Sequence, residues 1–269
     1  MATILNSIFG ETKKPVIGMV HIRPLPGSFY YDADKGMEYI IETAAKDIET
    51  YQAAGFDGLL FCNESDMPFS IGVEHITPAA MVACICGLKS VMKIPFGTDV
   101  IMDNKAAIAV SAVTGGRFVR GIFTNAYVSE MGILDTDGAA DIMHKKHIHA
   151  DDVAIFARIS QGLASPLVER SLKLLTYGAI WSAVADAVVV TGLAPGDTVS
   201  VEEIKEAKQA AGVIPIIASN GIDHDNVGNI LQYADAVFIG TRLKENNVTL
   251  KPVVKEKADR FMDAVQKAR

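Results

Sequence analysis

The chain has 269 residues, with 25 lysines and arginines against 32 aspartates and glutamates and an apolar share of 49%. One large domain is expected, since a (β/α)8 barrel takes ~250 residues, and the net charge of −7 excludes a broad basic grip on nucleic acid or an anionic membrane face. Three clustered cysteines, Cys62, Cys84 and Cys86, exclude a disulfide framework and suit a reducing compartment, so the expected location is the cytoplasm.

Residues 1–15, with Asn6, Glu11 and two lysines, lack the apolar core of a signal peptide and read as an N-terminal extension. Eight short runs rich in β-branched and aromatic residues then follow, at 16–21, 57–62, 95–100, 117–123, 153–159, 185–190, 214–219 and 235–240. They are apolar at nearly every position, which means burial on both faces and hence parallel strands. Eight strands alternating with helices predict one α/β TIM barrel over residues 1–269. An open doubly wound sheet is disfavoured, because His21-Ile22-Arg23-Pro24 after the first run is no glycine fingerprint. No charge-free apolar run reaches the ~20 residues of a bilayer span, so no membrane insertion is expected.

Helix starts are legible at Thr77-Pro78, Asp103 and Ser165-Pro166. Another is Ser200-Val201-Glu202-Glu203, whose spacing is that of a capping box before a helix running to about Ala211. Three connections are long, at 22–35, 63–77 and 124–137, and functional loops of this kind gather on one face.

In such a barrel the carboxyl ends of the strands converge on one site, so polar residues there belong together. The expected ring holds His21 and Arg23, then Asn63, Glu64 and Asp66, then Asp99, Arg120 and Thr124, and Arg158. It closes with Thr191-Gly192, Ser219-Asn220-Gly221 and Gly240-Thr241. The glycine turns of the last strands let backbone amides approach a phosphate closely, unless glycine merely suits a tight turn. Arg242 and Lys244 either add positive charge there or are ordinary solvated side chains, and Asp223 would repel an anion if it faced the ligand.

Glu64 is the leading acid/base candidate, because a carboxylate shielded by a long loop can have its proton affinity raised. Asp99 is its expected catalytic companion, or else a salt-bridge partner of Arg120 or Arg158. His21 suits a base, a hydrogen-bond donor or a metal ligand, and equally a satisfied structural histidine. Arg23, Asn63, Arg120, Thr124 and Arg158 are expected to bind substrate. Thr191, Gly192, Ser219, Asn220, Gly221, Gly240 and Thr241 are expected to hold its phosphate. His144, His147 and His149 lack ligands at matching spacing and read as surface. Cys84 and Cys86 diverge on one helix and read as packing residues. Tyr30 and Tyr31 form a lid over the first strand end or simply pack against the barrel.

The stretch Val16-Ile17-Gly18-Met19-Val20-His21-Ile22-Arg23-Pro24-Leu25-Pro26-Gly27 resembles the opening of the BtpA/SgcQ family. So do Ala54-Gly55-Phe56-Asp57-Gly58 with Asn63-Glu64, and Pro95-Phe96-Gly97-Thr98-Asp99-Val100. Phe118-Val119-Arg120 with Phe123-Thr124, Ala185-Asp186-Ala187 with Thr191-Gly192, and Ala234-Asp235 with Gly240-Thr241 extend the likeness over nearly the whole chain. The resemblance implies a barrel of the ribulose-phosphate-binding type. It links the chain to photosystem I accumulation and to gene neighbourhoods for sugar-phosphate uptake and interconversion, without naming one reaction. It carries over His21, Arg23, Asn63, Glu64, Arg120, Thr124, Thr191, Gly192, Gly240 and Thr241. Two positions depart from it: Asp99 stands where the family often has asparagine, and Ala157-Arg158 where a lysine-histidine pair commonly ends the fifth strand.

The expected function is acid/base chemistry on a phosphorylated sugar or related small phosphometabolite, of isomerase, epimerase, aldolase or lyase type. The alternative is a non-catalytic assembly or stability factor for a membrane photosynthetic complex. An interaction protein has no physical need for a mixed acid/base ring at one mouth. No cofactor or metal-ligand set is evident, although a divalent metal and a homo-oligomer are both compatible with this pattern.

Overall fold

The computed structural model describes residues 3–160, 164–192 and 197–269. In chain order its strands are β1 (Val16–His21), β2 (Gly58–Cys62), β3 (Phe96–Asp99), β4 (Phe118–Gly121), β5 (Ala126–Ser129), β6 (Gly132–Asp135), β7 (Ala154–Arg158), β8 (Ser165–Pro166), β9 (Ala187–Thr191), β10 (Ile216–Ser219) and β11 (Ala236–Ile239). Eight of them close a parallel barrel in the order β1-β11-β10-β9-β7-β4-β3-β2. Seven of the eight predicted runs contain one barrel strand whole, and the sixth, 185–190, falls one residue short of the end of β9 at Thr191. The helices are α1 (Ile4–Phe9), α2 (Gly36–Ala53), α3 (Ile76–Gly87), α4 (Asn104–Thr114), α5 (Gly138–His147), α6 (Leu172–Ser182), α7 (Val201–Ala211), α8 (Val227–Ile230) and α9 (Lys255–Ala268). Among the described residues no helix is long and apolar enough to cross a membrane.

Alternation along the strands divides the apolar side chains into two cores. Val16, Val20, Leu59, Phe61, Val119, Ile155, Val188 and Val190 point outward against the helices. Ile17, Met19, Leu60, Phe118, Phe156, Val189, Ile217 and Phe238 fill the interior. There the Phe118 and Phe156 rings stack with centroids 4.6 Å apart. Helix α1 closes the lower end: Leu5, Ile8 and Phe9 join the interior cluster, and Phe9 meets Phe118 at a centroid separation of 6.0 Å. The extension expected from sequence is thus a plug whose short helix buries its apolar side chains in the barrel.

A repeated aspartate device fixes the lower rim. The carboxylates of Asp57, Asp186 and Asp235 accept backbone amides in the first two residues of the neighbouring strands, at Val16 (2.8 Å), Ile155 (2.8 Å) and Ile216 (2.7 Å). Arg269 and Lys208 pair with Asp57 and Asp235. These charge-assisted bonds set strand register at the end away from the long loops.

Two helix starts follow expectation and two do not. The Asp103 carboxylate accepts the Ala106 amide at 2.9 Å, and Ser200 and Glu203 form the reciprocal capping box. Helix α3, however, begins one residue before Thr77, so Thr77 and Pro78 lie within its first turn and make no side-chain cap. Ser165-Pro166 opens no helix either: it is β8, paired with Val128 and Tyr127 of β5, and Ser171 caps α6 instead. Proline is at home on such an edge, where the ladder lacks one donor anyway. Strands β6, β5 and β8 form an outer antiparallel sheet that stitches the loop after β4 to the loop after β7.

Candidate active site

Strand alternation delivers one side chain per strand to the upper layer of the interior: His21, Cys62, Asp99, Arg120, Arg158, Thr191 and Ser219, with Gly240 just beyond β11. Above this layer lies a cavity of ≈ 460 Å³. Nine of the expected site residues line it: His21, Glu64, Arg120, Arg158, Ser219, Asn220, Gly221, Gly240 and Thr241. They come from strands far apart in sequence, and the barrel closure brings them to one mouth.

The turns after β10 and β11 have the backbone that a small anion requires. Asn220 and Gly221 both take positive φ, 68° and 62°, a region that asparagine and glycine enter at least cost. Among the described residues, the amides of Gly221, Ile222, Thr241 and Arg242 have no acceptor in the protein. A side chain at Gly240 would put its Cβ 2.5 Å from His21 Cε1 and 2.7 Å from Met19 Cβ, so only glycine fits there. Arg242 also lines the cavity, whereas Asp223 turns its carboxylate to the amides of Asp225 and Asn226.

Electrostatics divide the cations of this region by partner. Arg120 donates from Nε to Asp99 Oδ2 at 2.7 Å, in a pair that is almost wholly buried. Burial works against the Arg120 charge, but the charge and hydrogen bond of Asp99, joined by Glu64 and other neighbours, together outweigh it and raise the guanidinium pKa. The Arg120 guanidinium lies 5.4 Å from the centre of the Phe238 ring, which adds a cation–π contact. Lys244 is neither a solvated lysine nor a phosphate ligand: it is buried and paired with Asp47 of α2. Burial, opposed by Asp47, lowers its pKa.

Burial, followed by the Lys244 and Arg120 charges, holds the His21 imidazole well below its ordinary pKa. His21 is therefore neutral at pH 7, and its buried Nδ1 has no partner among the described residues. Burial, then Asp99 and Glu64, push the Cys62 thiol well above its ordinary range. It stays protonated and donates to Glu64 Oε2 at 3.4 Å. Glu64 itself is half-buried at the cavity wall.

The remaining expected residues take other places. Asn63 accepts the Ile101 amide at 2.8 Å and donates to Asp66 at 3.2 Å, while Asp66 accepts the Leu25 amide at 2.8 Å. Together they tie the chain after β1, β2 and β3. Thr191 is locked to Ser160 Oγ through its amide at 2.9 Å. Gly192 lies so near Asp197 that a Cβ would come within 2.2 Å of its carbonyl oxygen. Thr124 is buried. Arg23 faces away from the cavity, 6.0 Å from the Tyr39 ring centre, in a small outer pocket with Tyr30 and Tyr31. His147 and His149 are exposed, as is Cys86, whereas Cys84 is buried. Among the described residues, the one cluster of metal-binding types is Asp223, His224 and Asp225, on the surface outside the cavity.

Sequence reading missed several lining residues. Met19 and Phe238 share strand parity with His21 and Gly240, so alternation alone reveals them. Phe69, Met131, Asn247 and Thr249 come from irregular segments and a hairpin tip, where no period marks them.

Comparison with known proteins agrees with this architecture. The chain is 32% identical over 265 residues to the putative sgc region protein SgcQ of Escherichia coli K12, covering 98% of each. It is 27% identical over 260 residues to the photosystem I biogenesis protein BtpA of a Synechocystis species, covering 95% of this chain and 89% of the relative. Among solved structures, phosphoribosyl anthranilate isomerase from Thermus thermophilus matches with a TM-score of 0.59 at 12% identity, covering 95% of this chain and 100% of the other. A structure described as native KDPGal matches with a TM-score of 0.58 at 14% identity, covering 96% and 97%. These structural likenesses show the fold alone. A profile of the BtpA family matches residues 12–267, and the chain therefore belongs to the BtpA family.

Proposed function

We propose that this protein is an enzyme acting on a phosphorylated sugar or related small phosphometabolite by proton transfer at the barrel mouth. The observation that carries the reading is one cavity holding both a glycine-bearing cradle of amides, after β10 and β11, that have no acceptor among the described residues, and an acid/base pair, Glu64 and neutral His21. Amides and a nearby Arg242 suit a phosphate; Glu64 suits proton abstraction next to a carbonyl; His21 can hydrogen-bond the developing oxyanion without carrying a charge of its own. That division of labour fits isomerase, epimerase, aldolase or lyase chemistry. Several structural neighbours have names that include phosphorylated compounds, which agrees with the reading at the level of substrate class.

A second reading, an assembly or stability factor, draws on the name of the Synechocystis relative and on the exposure of Phe29 (79%) and Tyr30 (60%) in the loop after β1. It gives the acid/base layer inside the mouth no use, and so ranks below the enzyme. A thermal-shift screen against sugar phosphates, with and without divalent metals, separates the two, since any ligand of the folded state raises the melting temperature. The enzyme reading expects a stabilising phosphosugar and expects Glu64→Gln to keep its affinity while turnover falls ~10²-fold or more. Full turnover in Glu64→Gln removes Glu64 from the chemistry. A screen with no ligand, together with a protein partner held by the mouth loops, replaces the enzyme with the assembly factor.

A further inference from the structure

Among the described residues, the upper layer contains one cation without an ion-pair partner. Arg120 is bound to Asp99, and Lys244 to Asp47. Arg158, at the end of β7, makes no ion pair among the described residues, and its buried Nε has no hydrogen-bond partner there. It lines the same cavity as Glu64 and the amide cradle. An N–H withdrawn from water without an acceptor is costly, so a group in this position signals a ligand that satisfies it.

Ring order says where that ligand group must lie. Around the barrel, β7 stands diametrically opposite β1, and the cradle sits at β10 and β11. Strand β7 is two places from β10 and three from β11, so a molecule anchored by phosphate at the cradle can extend over the mouth to Arg158 while His21 and Glu64, on β1 and after β2, face it from the other side of the ring. A guanidinium carries parallel N–H pairs at the spacing of a planar carboxylate, and the Arg158 side chain that lines the cavity can present one such pair. A second phosphate fits less well. Arg158 supplies one positive charge, Arg120 is already neutralised by Asp99, and a further dianion would leave excess negative charge beside Glu64.

Resting on the phosphate reading above, we infer that the substrate carries a carboxylate at the end opposite its phosphate, and that Arg158 selects it. The class is a phosphorylated sugar acid or a shorter phosphorylated hydroxy or oxo acid, in place of a phosphorylated sugar with a neutral far end.

Calorimetry on the intact protein tests this with matched probes. 3-Phosphoglycerate and 6-phosphogluconate are compared with glycerol 3-phosphate and glucitol 6-phosphate, which lack the carboxylate. Glycerate and gluconate, which lack the phosphate, and fructose 1,6-bisphosphate complete the set. Wild type is expected to bind at least one phosphorylated acid about tenfold or more tighter than the alcohol phosphate of its length. In Arg158→Gln that ratio should fall to about one with the alcohol phosphate unaffected, and Arg158→Lys should restore only part of it. Equal affinities in wild type, a ratio that survives Arg158→Gln, or a preference for the bisphosphate overturns the inference. Because the wild-type ratio stands on its own, a variant that fails to fold does not remove the test. Acids that bind equally with or without phosphate, and lose affinity in Arg158→Gln, support the role of Arg158 while refuting the cradle. Absence of binding by every probe refutes both.

Discussion

Replacing Asp99 by asparagine keeps the shape of the side chain and removes the charge that holds Arg120. The pair is 1% and 5% exposed and meets at 2.7 Å, so the guanidinium left behind has little water to turn to. Removing one partner of a buried pair costs about 3–5 kcal/mol. Arg120 also borders the mouth cavity and lies near Glu64, which places the expected loss at the lower end, about 3 kcal/mol. For a chain of this size that is a fall of roughly 6–12 °C in melting temperature. Urea unfolding followed by far-UV circular dichroism measures it. The double variant Asp99→Asn with Arg120→Met should recover part of the loss, because no unpaired cation remains. A loss below about 1 kcal/mol, or strict additivity in the double variant, refutes the claim that this pair is a structural unit. An Asp99→Asn protein of unchanged stability but without turnover would instead make Asp99 a proton-transfer group.

Three further outcomes follow from the same geometry. Phe9→Ala should lower stability by about 3 kcal/mol, since it empties the plug under Phe118; a change within 0.5 kcal/mol on urea unfolding, roughly the scatter of surface substitutions, would show that the plug adds nothing. For His21 the folded pKa lies below the unfolded value near 6.5. Stability is therefore unaffected above that pH and falls as the pH drops below it, by about 1 kcal/mol between pH 7.5 and 5.5. His21→Asn should abolish that part of the slope, and an identical slope in the variant counts against it. Gly240→Val has no room beside His21 and Met19, so inorganic phosphate should bind at least tenfold more weakly, roughly one lost charge-assisted contact. Unchanged calorimetric affinity moves the phosphate elsewhere.

The barrel was legible because its signal is local: each strand announces itself by composition, and the parity of residues within a strand gives the direction each side chain faces. That is why His21, Arg120, Arg158 and Ser219 could be grouped without knowing any contact. What escaped was decided by partners distant along the chain. Lys244 reads as a surface lysine until α2 supplies Asp47, 197 positions away. Helix α1 spans six residues, too few for a period to declare itself, and its burial depends on Phe118. Arg23 takes its place outside the cavity for a related reason. It lies two residues past the end of β1, where strand parity no longer governs direction, and Tyr39 of α2 draws it outward.

The stitching of two mouth loops by β5 and β8 bears on kinetics. Leu167 donates to the Ala126 carbonyl at 2.8 Å and Arg170 to the Asn125 side chain at 3.0 Å, so neither loop can swing away without breaking bonds to the other. The turn between β5 and β6 carries Met131 over the cavity. Amide hydrogens of the two segments should accordingly exchange with solvent as one cooperative unit. On the enzyme reading, a ligand entering past Met131 should have a residence time that responds to the backbone pairing of β5 and β8 outside the barrel, as well as to the residues lining the cavity.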